Sequence, residues 1–225
     1  MKSKGSNASL DEVLSTVTYH HHLTDIEEGN LTYTWEQPDV ISFDELIISW
    51  NAMRPQYGDF NINIAVKINE MWSPWFLYSS WASESQKGGK VDPVRFPVQV
   101  KQDILQVVDG QKATGFRVRV DAKNGASLEE FYAIHACASS IVDMFPVKAT
   151  TSHSSMDLQV PLISQMMLKH PRHRDMCSAA STASVVSYLL KKNRIDPVSF
   201  ALQSCDEAFD IYGNWTLNTA HASAV

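Results

Sequence analysis

Alternation of apolar and polar residues dominates the middle of the chain and predicts β-strands. It is found at 31–35, 47–50, 60–68, 75–78, 98–100 and 116–120. A period of two is typical of half-buried antiparallel strands. Turn-forming residues separate these segments at 39, 57–59, 87–90, 109–110 and 123–125. We therefore predict an antiparallel β-sandwich with jelly-roll-like packing.

The character of the sequence changes along the chain and suggests four parts. Residues 1–28 are polar, and we expect them to be disordered or loosely docked. Residues 29–147 carry the strand pattern, and 148–158 form a linker rich in Ser and Thr. Residues 159–225 contain a helix of small residues that begins near Cys177. The predicted fold class is therefore α+β, with the β-sandwich first and the helical part second.

Composition and charge exclude two classes of function. The formal net charge is −6, whereas a nucleic-acid-binding protein needs clustered Lys and Arg, so we expect no nucleic-acid partner. No apolar run is long enough to cross a bilayer, so we expect no membrane span. Lys2 and Lys4 are not followed by an apolar run, which argues against an intact signal peptide. The compartment stays open, including secretion or the cell envelope if the start of the chain has been trimmed.

Five tryptophans fall within the predicted sandwich, at 35, 50, 72, 75 and 81. Aromatic rings fill the core of a sandwich more often than they stack on a ligand. Trp72, Trp75 and Trp81 stand in the most polar surroundings and are the better candidates for exposed contacts. A glycan or cell-wall ligand is the partner that such rings would suit.

Two histidine patterns suggest metal binding, and we favour neither. In the triplet His20-His21-His22, nothing nearby in the sequence completes a ligand set. His170, His173 and Cys177 have helical spacing, but Pro171 disrupts the backbone between the two histidines. We therefore predict no metal and no cofactor.

Cys177 is the thiol with the best prospects for chemistry. Three widely spaced cysteines do not make a disulfide framework, and Cys137 lies in an apolar run that indicates a core residue. Cys177 stands where the predicted helix begins, with Asp175 before it as a candidate N-cap. The unpaired N–H groups and the dipole at a helix start stabilise a thiolate. The alternative is a buried structural cysteine, and local sequence alone does not separate the two.

The segments around Cys177 resemble a known family. Val160-Pro161-Leu162-Ile163-Ser164-Gln165, followed by Asp175-Met176-Cys177-Ser178-Ala179-Ala180, is similar to the nucleophile region of papain-like cysteine peptidases of the bacteriocin-leader-processing type. The later segment 206–218, which contains Tyr212-Gly213-Asn214-Trp215, is similar to one in a bacterial subgroup that carries a β-sandwich before its peptidase domain. Ser178 departs from the glycine that usually follows the cysteine in these leader peptidases.

The resemblance implies a role for each matching residue. Cys177 would be the nucleophile, and Gln165 would stabilise the oxyanion together with the Cys177 backbone N–H. Gly213, Asn214 and Trp215 would line the substrate cleft. The family's catalytic histidine lies far beyond the cysteine, whereas this chain ends at Val225 and carries only His221 downstream. We therefore expect a truncated, catalytically incomplete form of an enzyme.

Three functions remain in competition. The leading hypothesis is a cysteine peptidase or amidase that acts on a peptide or protein substrate. The alternative is a binding module that recognises a glycan or cell-surface ligand through the tryptophans of the sandwich. Acyl transfer would use the same nucleophile, and sequence does not separate it from hydrolysis. A pseudoenzyme, or a base such as His153, His170 or His173, stays open too.

Overall fold

The structure is a computed structural model that describes residues 15–24, 26–91, 96–140, 157–191 and 195–225. Eleven strands form within these residues. They are β1 (Ser15–His22), β2 (Thr32–Gln37), β3 (Glu45–Ala52), β4 (Asp59–Ile68), β5 (Met71–Trp72), β6 (Phe76–Ala82), β7 (Gln86–Val91), β8 (Val98–Gln102), β9 (Ile104–Val107), β10 (Gly115–Lys123) and β11 (Phe131–Ser140).

All strand pairings among the described residues are antiparallel. Along the sheet, neighbouring strands follow the order β1-β11-β3-β9-β8-β7-β6-β4-β10-β2, and β5 pairs with β4. The strand β7 pairs with β6 on one side and with β8 on the other, so it joins the two layers of the sandwich. The path ends at β1 and β2, whose side chains meet and leave the sandwich nearly closed. The predicted α+β fold with an N-terminal antiparallel β-sandwich is confirmed.

The predicted turn at 87–90 is wrong, because these residues belong to β7. The two glycines were interpreted as turn residues, but close approach of neighbouring groups explains them better. A Cβ on Gly89 would lie 2.2 Å from the backbone oxygen of Leu77, and a Cβ on Gly88 would lie 2.5 Å from Oδ2 of Asp206. Glycine within a strand often marks such an approach.

The N-terminal segment is also more ordered than we expected. Strand β1 pairs with β11 over eight positions, from Ser15 opposite Ser140 to His22 opposite Ala133. Its inward-facing Tyr19 packs edge-on against Phe116, with ring centroids 5.3 Å apart. Residues 1–14 lie outside the described residues.

The core fills the space between the two layers, and three tryptophans belong to it. Trp35, Trp50 and Trp81 are buried, and the rings of Trp50 and Trp81 meet edge-on at 6.1 Å. The prediction of an exposed Trp81 is therefore wrong, because its ring is fully covered and its Nε1–H donates to the Met53 backbone oxygen. Cys137, predicted to be a core residue, is only partly buried on β11.

Three helices follow the sandwich. They are α1 (Cys177–Leu190), α2 (Pro197–Gln203) and α3 (Trp215–Ser223), with short 3₁₀ turns at Gln165–Met167 and His173–Asp175 before α1. Helix α3 packs on β3, and its Leu217 and Ala220 belong to the core of the sandwich. A second, smaller core lies among the helices and contains Met176, Ala179, Ala183, Phe200, Ala201 and Tyr212.

The predicted linker at 148–158 lies mostly outside the described residues, and the four-part division of the chain stays a prediction. Within the described ranges, we find no helix that is both long and apolar enough to span a membrane.

Candidate functional site

Helix α1 begins at Cys177 and presents its thiol on the surface. Its N-cap is Met176, which is buried and supplies no side-chain hydrogen bond to the first turn. The prediction of Asp175 as the N-cap is wrong, because its carboxylate instead accepts a hydrogen bond from Nε of Arg172 at 3.1 Å. No capping side chain therefore competes for the first amides of the helix, and Cys177 itself is exposed. Such an N-terminus favours a nearby anion.

A pocket of about 320 Å³ opens beside the thiol. Cys177, Ser178, Ser181 and Thr182 line it from α1, and Trp215 lines it from the start of α3. The α1 residues are small, whereas Trp215 contributes a large apolar ring. Trp215 is 69% exposed, so the ring forms an outer wall of the pocket. The structure thus brings two predicted site residues, Cys177 and Trp215, to the same pocket.

Gln165 lies in the first of the two 3₁₀ turns and points towards the loop before Cys177. Its Nε2 donates to the backbone oxygen of Arg174 at 2.7 Å. This bond uses one of the two N–H groups of the amide, so the other is left for a second acceptor. Gln165 is not among the residues that line the pocket. Its role at the oxyanion stays a prediction.

Arg172 ties the loop before Cys177 to the loop before α3. Its Nη1 lies 2.7 Å from Oδ1 of Asp210, and its Nη2 donates to the Asp210 backbone oxygen at 2.7 Å. Its guanidinium also lies over the ring of Tyr212 at 4.6 Å. The bonds to Asp210 and Asp175 raise the pKa of Arg172 above its ordinary value, so the cation persists. These contacts are partly exposed, and we expect each to contribute little alone.

The buried carboxylate of Asp206 joins the helical segment to the sandwich. It is fully buried. Three donors satisfy it: the N–H of Gly88 on β7 at 3.1 Å, the N–H of Ala208 at 3.0 Å and Nδ2 of Asn214 at 2.8 Å. Because a buried charge needs such partners, Asp206 fixes β7, its own loop and the start of α3 relative to one another.

Asn214, which the family resemblance places in the substrate cleft, is the N-cap of α3. Its side chain is buried, and its Oδ1 accepts from the Leu217 N–H at 3.1 Å as the N-cap of α3. With its Nδ2 bound to Asp206, the Asn214 amide is fully engaged within the protein. It thereby holds the start of α3, where the next residue is Trp215. Gly213 is half-buried, with open space around it. Substrate contacts by these two residues stay predictions.

A second polar connection lies under α3. The hydroxyl of the buried Tyr78 accepts from the Ile48 N–H at 3.0 Å, donates to the Asp103 backbone oxygen and lies 3.3 Å from Oγ1 of Thr216. The Asp103 carboxylate accepts from the Trp215 N–H at 3.2 Å. The sandwich therefore holds the first turn of α3 and, with it, the wall of the pocket.

Arg54 makes a third connection, at the other side of the helical segment. Its guanidinium lies 4.0 Å from the Trp81 ring centroid, and it donates to the Ala82 backbone oxygen, Oε1 of Gln86 and the Gln203 backbone oxygen. Burial lowers its pKa to about 10, which still leaves it charged at neutral pH. The two parts of the chain thus share hydrogen bonds as well as a core.

Two of the candidate bases, His221 and His170, have other partners, and among the described residues no histidine hydrogen-bonds to Cys177. His221 is buried, packs against Phe200 with its ring tilted by 53°, and has its Nε2 at 3.1 Å from Oε1 of Gln203. Burial and the Arg54 charge lower its pKa to about 4. His170 accepts from the Arg172 N–H at 3.2 Å. His153 lies outside the described residues.

Trp72 and Trp75, the two sandwich tryptophans outside the core, are paired with arginines. The Arg117 guanidinium lies 4.6 Å from the ring centroids of both Trp72 and Trp75, and that of Arg119 lies 4.7 Å from the Trp75 ring. Trp72 and Trp75 are half-buried. Since a guanidinium covers part of each ring, less aromatic face is left for a sugar.

Sequence reasoning missed Asp206, Tyr78, Asp103 and Arg54, which position the site. A weak signal existed for Asp206, since it opens the acidic run Asp206-Glu207 shortly before the Tyr212-Gly213-Asn214-Trp215 segment. The others act through partners more than a hundred residues away along the chain. No local pattern reports such contacts.

Together, fold and site define an α+β protein in which a β-sandwich supports a helix-borne, exposed cysteine. A family model described as Peptidase C39 N-terminal domain matches residues 2–129, which is more than half of the chain. The chain belongs to this family. The predicted resemblance to a peptidase family is thereby confirmed as a C39-like relationship, whereas the match does not reach the bacteriocin-leader-processing assignment. The matched residues lie before Cys177. No curated protein and no solved structure gave a significant match.

Proposed function

We propose that this protein is a cysteine peptidase or amidase in which Cys177 attacks the substrate carbonyl. The observation that carries the proposal is the exposed thiol at the uncapped start of α1, beside a pocket walled by Trp215. Membership of the Peptidase C39 N-terminal domain family supports the class of reaction. The narrower assignment, to peptidases that process bacteriocin leaders, rests on the residues around Cys177 alone.

In the proposed reaction, the Cys177 thiolate adds to a peptide or amide carbonyl and forms a tetrahedral oxyanion. The Cys177 N–H and the free N–H of Gln165 would stabilise that oxyanion. Collapse of the oxyanion would release the amine, which takes up a proton from solvent, and leave an acyl-enzyme for water or another acceptor. Because no described histidine hydrogen-bonds to the thiol, we expect this chain to react at Cys177 without sustained turnover.

Competitive alkylation tests the nucleophile directly. The folded chain is treated with limiting iodoacetamide, or with an epoxide inhibitor, and the three cysteines are quantified by mass spectrometry. We expect selective modification of Cys177 over Cys137 and Cys205. A Cys177→Ser variant serves as the control for off-site labelling. Equal labelling of the three thiols in the folded state would refute the proposal.

The alternative function is recognition of a glycan or cell-wall ligand by the sandwich. The rings of Trp72 and Trp75 are the candidates that remain, since Trp81 is buried. A pull-down of the full chain on cell-wall material tests it. Loss of binding in Trp72→Ala or Trp75→Ala, with Met71→Ala as an exposed control, would favour the binding function.

A further inference from the structure

The histidine triplet, to which neither proposed function assigns a role, is built into a contact between strands. His20 on β1 lies directly opposite His135 on β11. Their Nδ1 atoms are 2.8 Å apart, and their ring centroids are 5.0 Å apart. At that separation one Nδ1–H donates to the other Nδ1, so at least one ring must have an unprotonated Nδ1.

His21, on the opposite face of β1, closes the sandwich on its other side. Its Nε2 lies 2.6 Å from the Tyr33 hydroxyl, and its ring stacks on Trp35 with centroids 5.1 Å apart. Tyr33 and Trp35 belong to β2, at the other end of the strand path. Strand β1 is therefore attached to both neighbours through histidines.

Among the described residues, no carboxylate contacts the rings of His20, His21 or His135. On the face of His20 and His135, the titratable neighbours are His22 on β1 and Cys137 on β11. Ser49 lies opposite His135 on β3, and Glu45 is four residues from Ser49 on that strand, opposite Ser139. Tyr33 is the titratable partner of His21 on β2. Burial, and then the charges of His20 and His22, lower the pKa of His135; burial and His22 lower that of His21.

We propose that His20 and His135 form an acid-sensitive latch that holds β1 in the sheet at neutral pH and releases it on acidification. With one proton added, a charged ring still donates to its neutral partner. With both rings protonated, each Nδ1 carries a hydrogen, so the bond is lost and two like charges meet at contact distance. Release of β1 would expose the edge of β11 and open the contact with β2.

Hydrogen–deuterium exchange of the full chain, in buffer with EDTA, tests the latch. Protection of residues 16–22 is measured at pH 7.5 and pH 5, corrected for intrinsic exchange at each pH, with β4 as the internal reference. We expect β1 to lose protection by on the order of ten-fold or more at pH 5, because two like charges then meet in contact. Unchanged protection relative to β4 would overturn the proposal.

Two variants identify the responsible pair. His20→Gln removes one ring, whereas His22→Gln removes an exposed histidine of the same strand. We expect the acid-induced loss to shrink in His20→Gln and to persist in His22→Gln; the same loss in both would refute the latch.

Thr18→Cys places a thiol opposite Cys137, where a cross-strand disulfide can lock β1. Oxidation of this variant should abolish the loss and reduction restore it, and loss in the oxidised form would contradict the proposal.

Discussion

Removal of the Asp206 carboxylate is the perturbation that best tests how the sandwich and the helical segment are held together. Asp206→Ala leaves the buried N–H of Gly88 and the Nδ2 group of Asn214 without their acceptor. A hydrogen bond to a charged group contributes about 1.5–3 kcal/mol, and an orphaned buried donor costs about 1–3 kcal/mol. The two energies partly count the same loss and cannot simply be added for each bond. We therefore expect Asp206→Ala to lower the free energy of unfolding by about 3–5 kcal/mol.

Asp206→Asn separates the shape of the side chain from its charge. The amide fits the same space, but its NH₂ group meets a donor, either Nδ2 of Asn214 or the N–H of Gly88. We expect a loss of about 2 kcal/mol for one bond replaced by opposed donors. Asp210→Asn is the matched control, because Asp210 lies in the same loop, is exposed and has a positive φ of 51° that Asn tolerates. Its cost should stay below about 1 kcal/mol.

Urea unfolding followed by tryptophan fluorescence gives each free energy. A double-mutant cycle with Gly88→Ala adds a geometric check, since a Cβ there would lie 2.5 Å from Oδ2 of Asp206. Truncation of Asp206 removes that clash, so Gly88→Ala should cost at least about 1 kcal/mol less in the Asp206→Ala background. Additive effects, or a cost of Asp206→Ala no larger than that of the Asp210→Asn control, would refute the proposed role of Asp206.

Three further predictions concern the same part of the molecule. His221 has a pKa of about 4 in the folded chain and of about 6.5 in the unfolded chain. The unfolded chain therefore binds more protons, and stability decreases as the pH drops below 6.5. In urea titrations, the wild type should lose about 2 kcal/mol more than His221→Leu between pH 7 and pH 5; equal losses would contradict this. Arg54→Lys should cost more than about 1.5 kcal/mol by urea unfolding, because an ammonium group cannot reproduce the planar fork that binds three acceptors; a cost within 0.5 kcal/mol would count against it. Trp215→Ala should change stability by less than about 0.5 kcal/mol, yet speed labelling of Cys177 by a bulky maleimide, since it removes an exposed wall of the pocket; unchanged labelling would show that Trp215 does not shield the thiol.

Much of the sandwich could be predicted from sequence because alternation reports burial locally. Strands β3, β4 and β10 alternate between buried and half-buried side chains over most of their length. Strand β7 could not be predicted in this way, because its glycines are required by Asp206 and Leu77, which approach from elsewhere in the chain. Strand β1 was missed because its polar residues face solvent or pair with other polar rings.

The candidate site shows the same division between local and long-range information. The helix start at Cys177 is a local feature, visible in the run of small residues that follows it. Its neighbour Trp215 was named from a family resemblance, and the contacts that hold it come from β6 and the turn between β8 and β9. The buried position of Asp206 could not be predicted, because sequence does not reveal that three donors converge on it.

The central claim, that the fold makes Cys177 a nucleophile, is tested most directly by the rate of its alkylation in the folded chain relative to the urea-denatured chain. Rates are measured at pH 7 with limiting iodoacetamide, with Cys137 and Cys205 as internal references. A helix start contributes about 0.3–1 kcal/mol to a nearby anion, so we predict that Cys177 reacts about two- to five-fold faster when folded. The two partly buried cysteines should react more slowly when folded. A folded-state rate for Cys177 equal to or below its denatured-state rate would contradict the account.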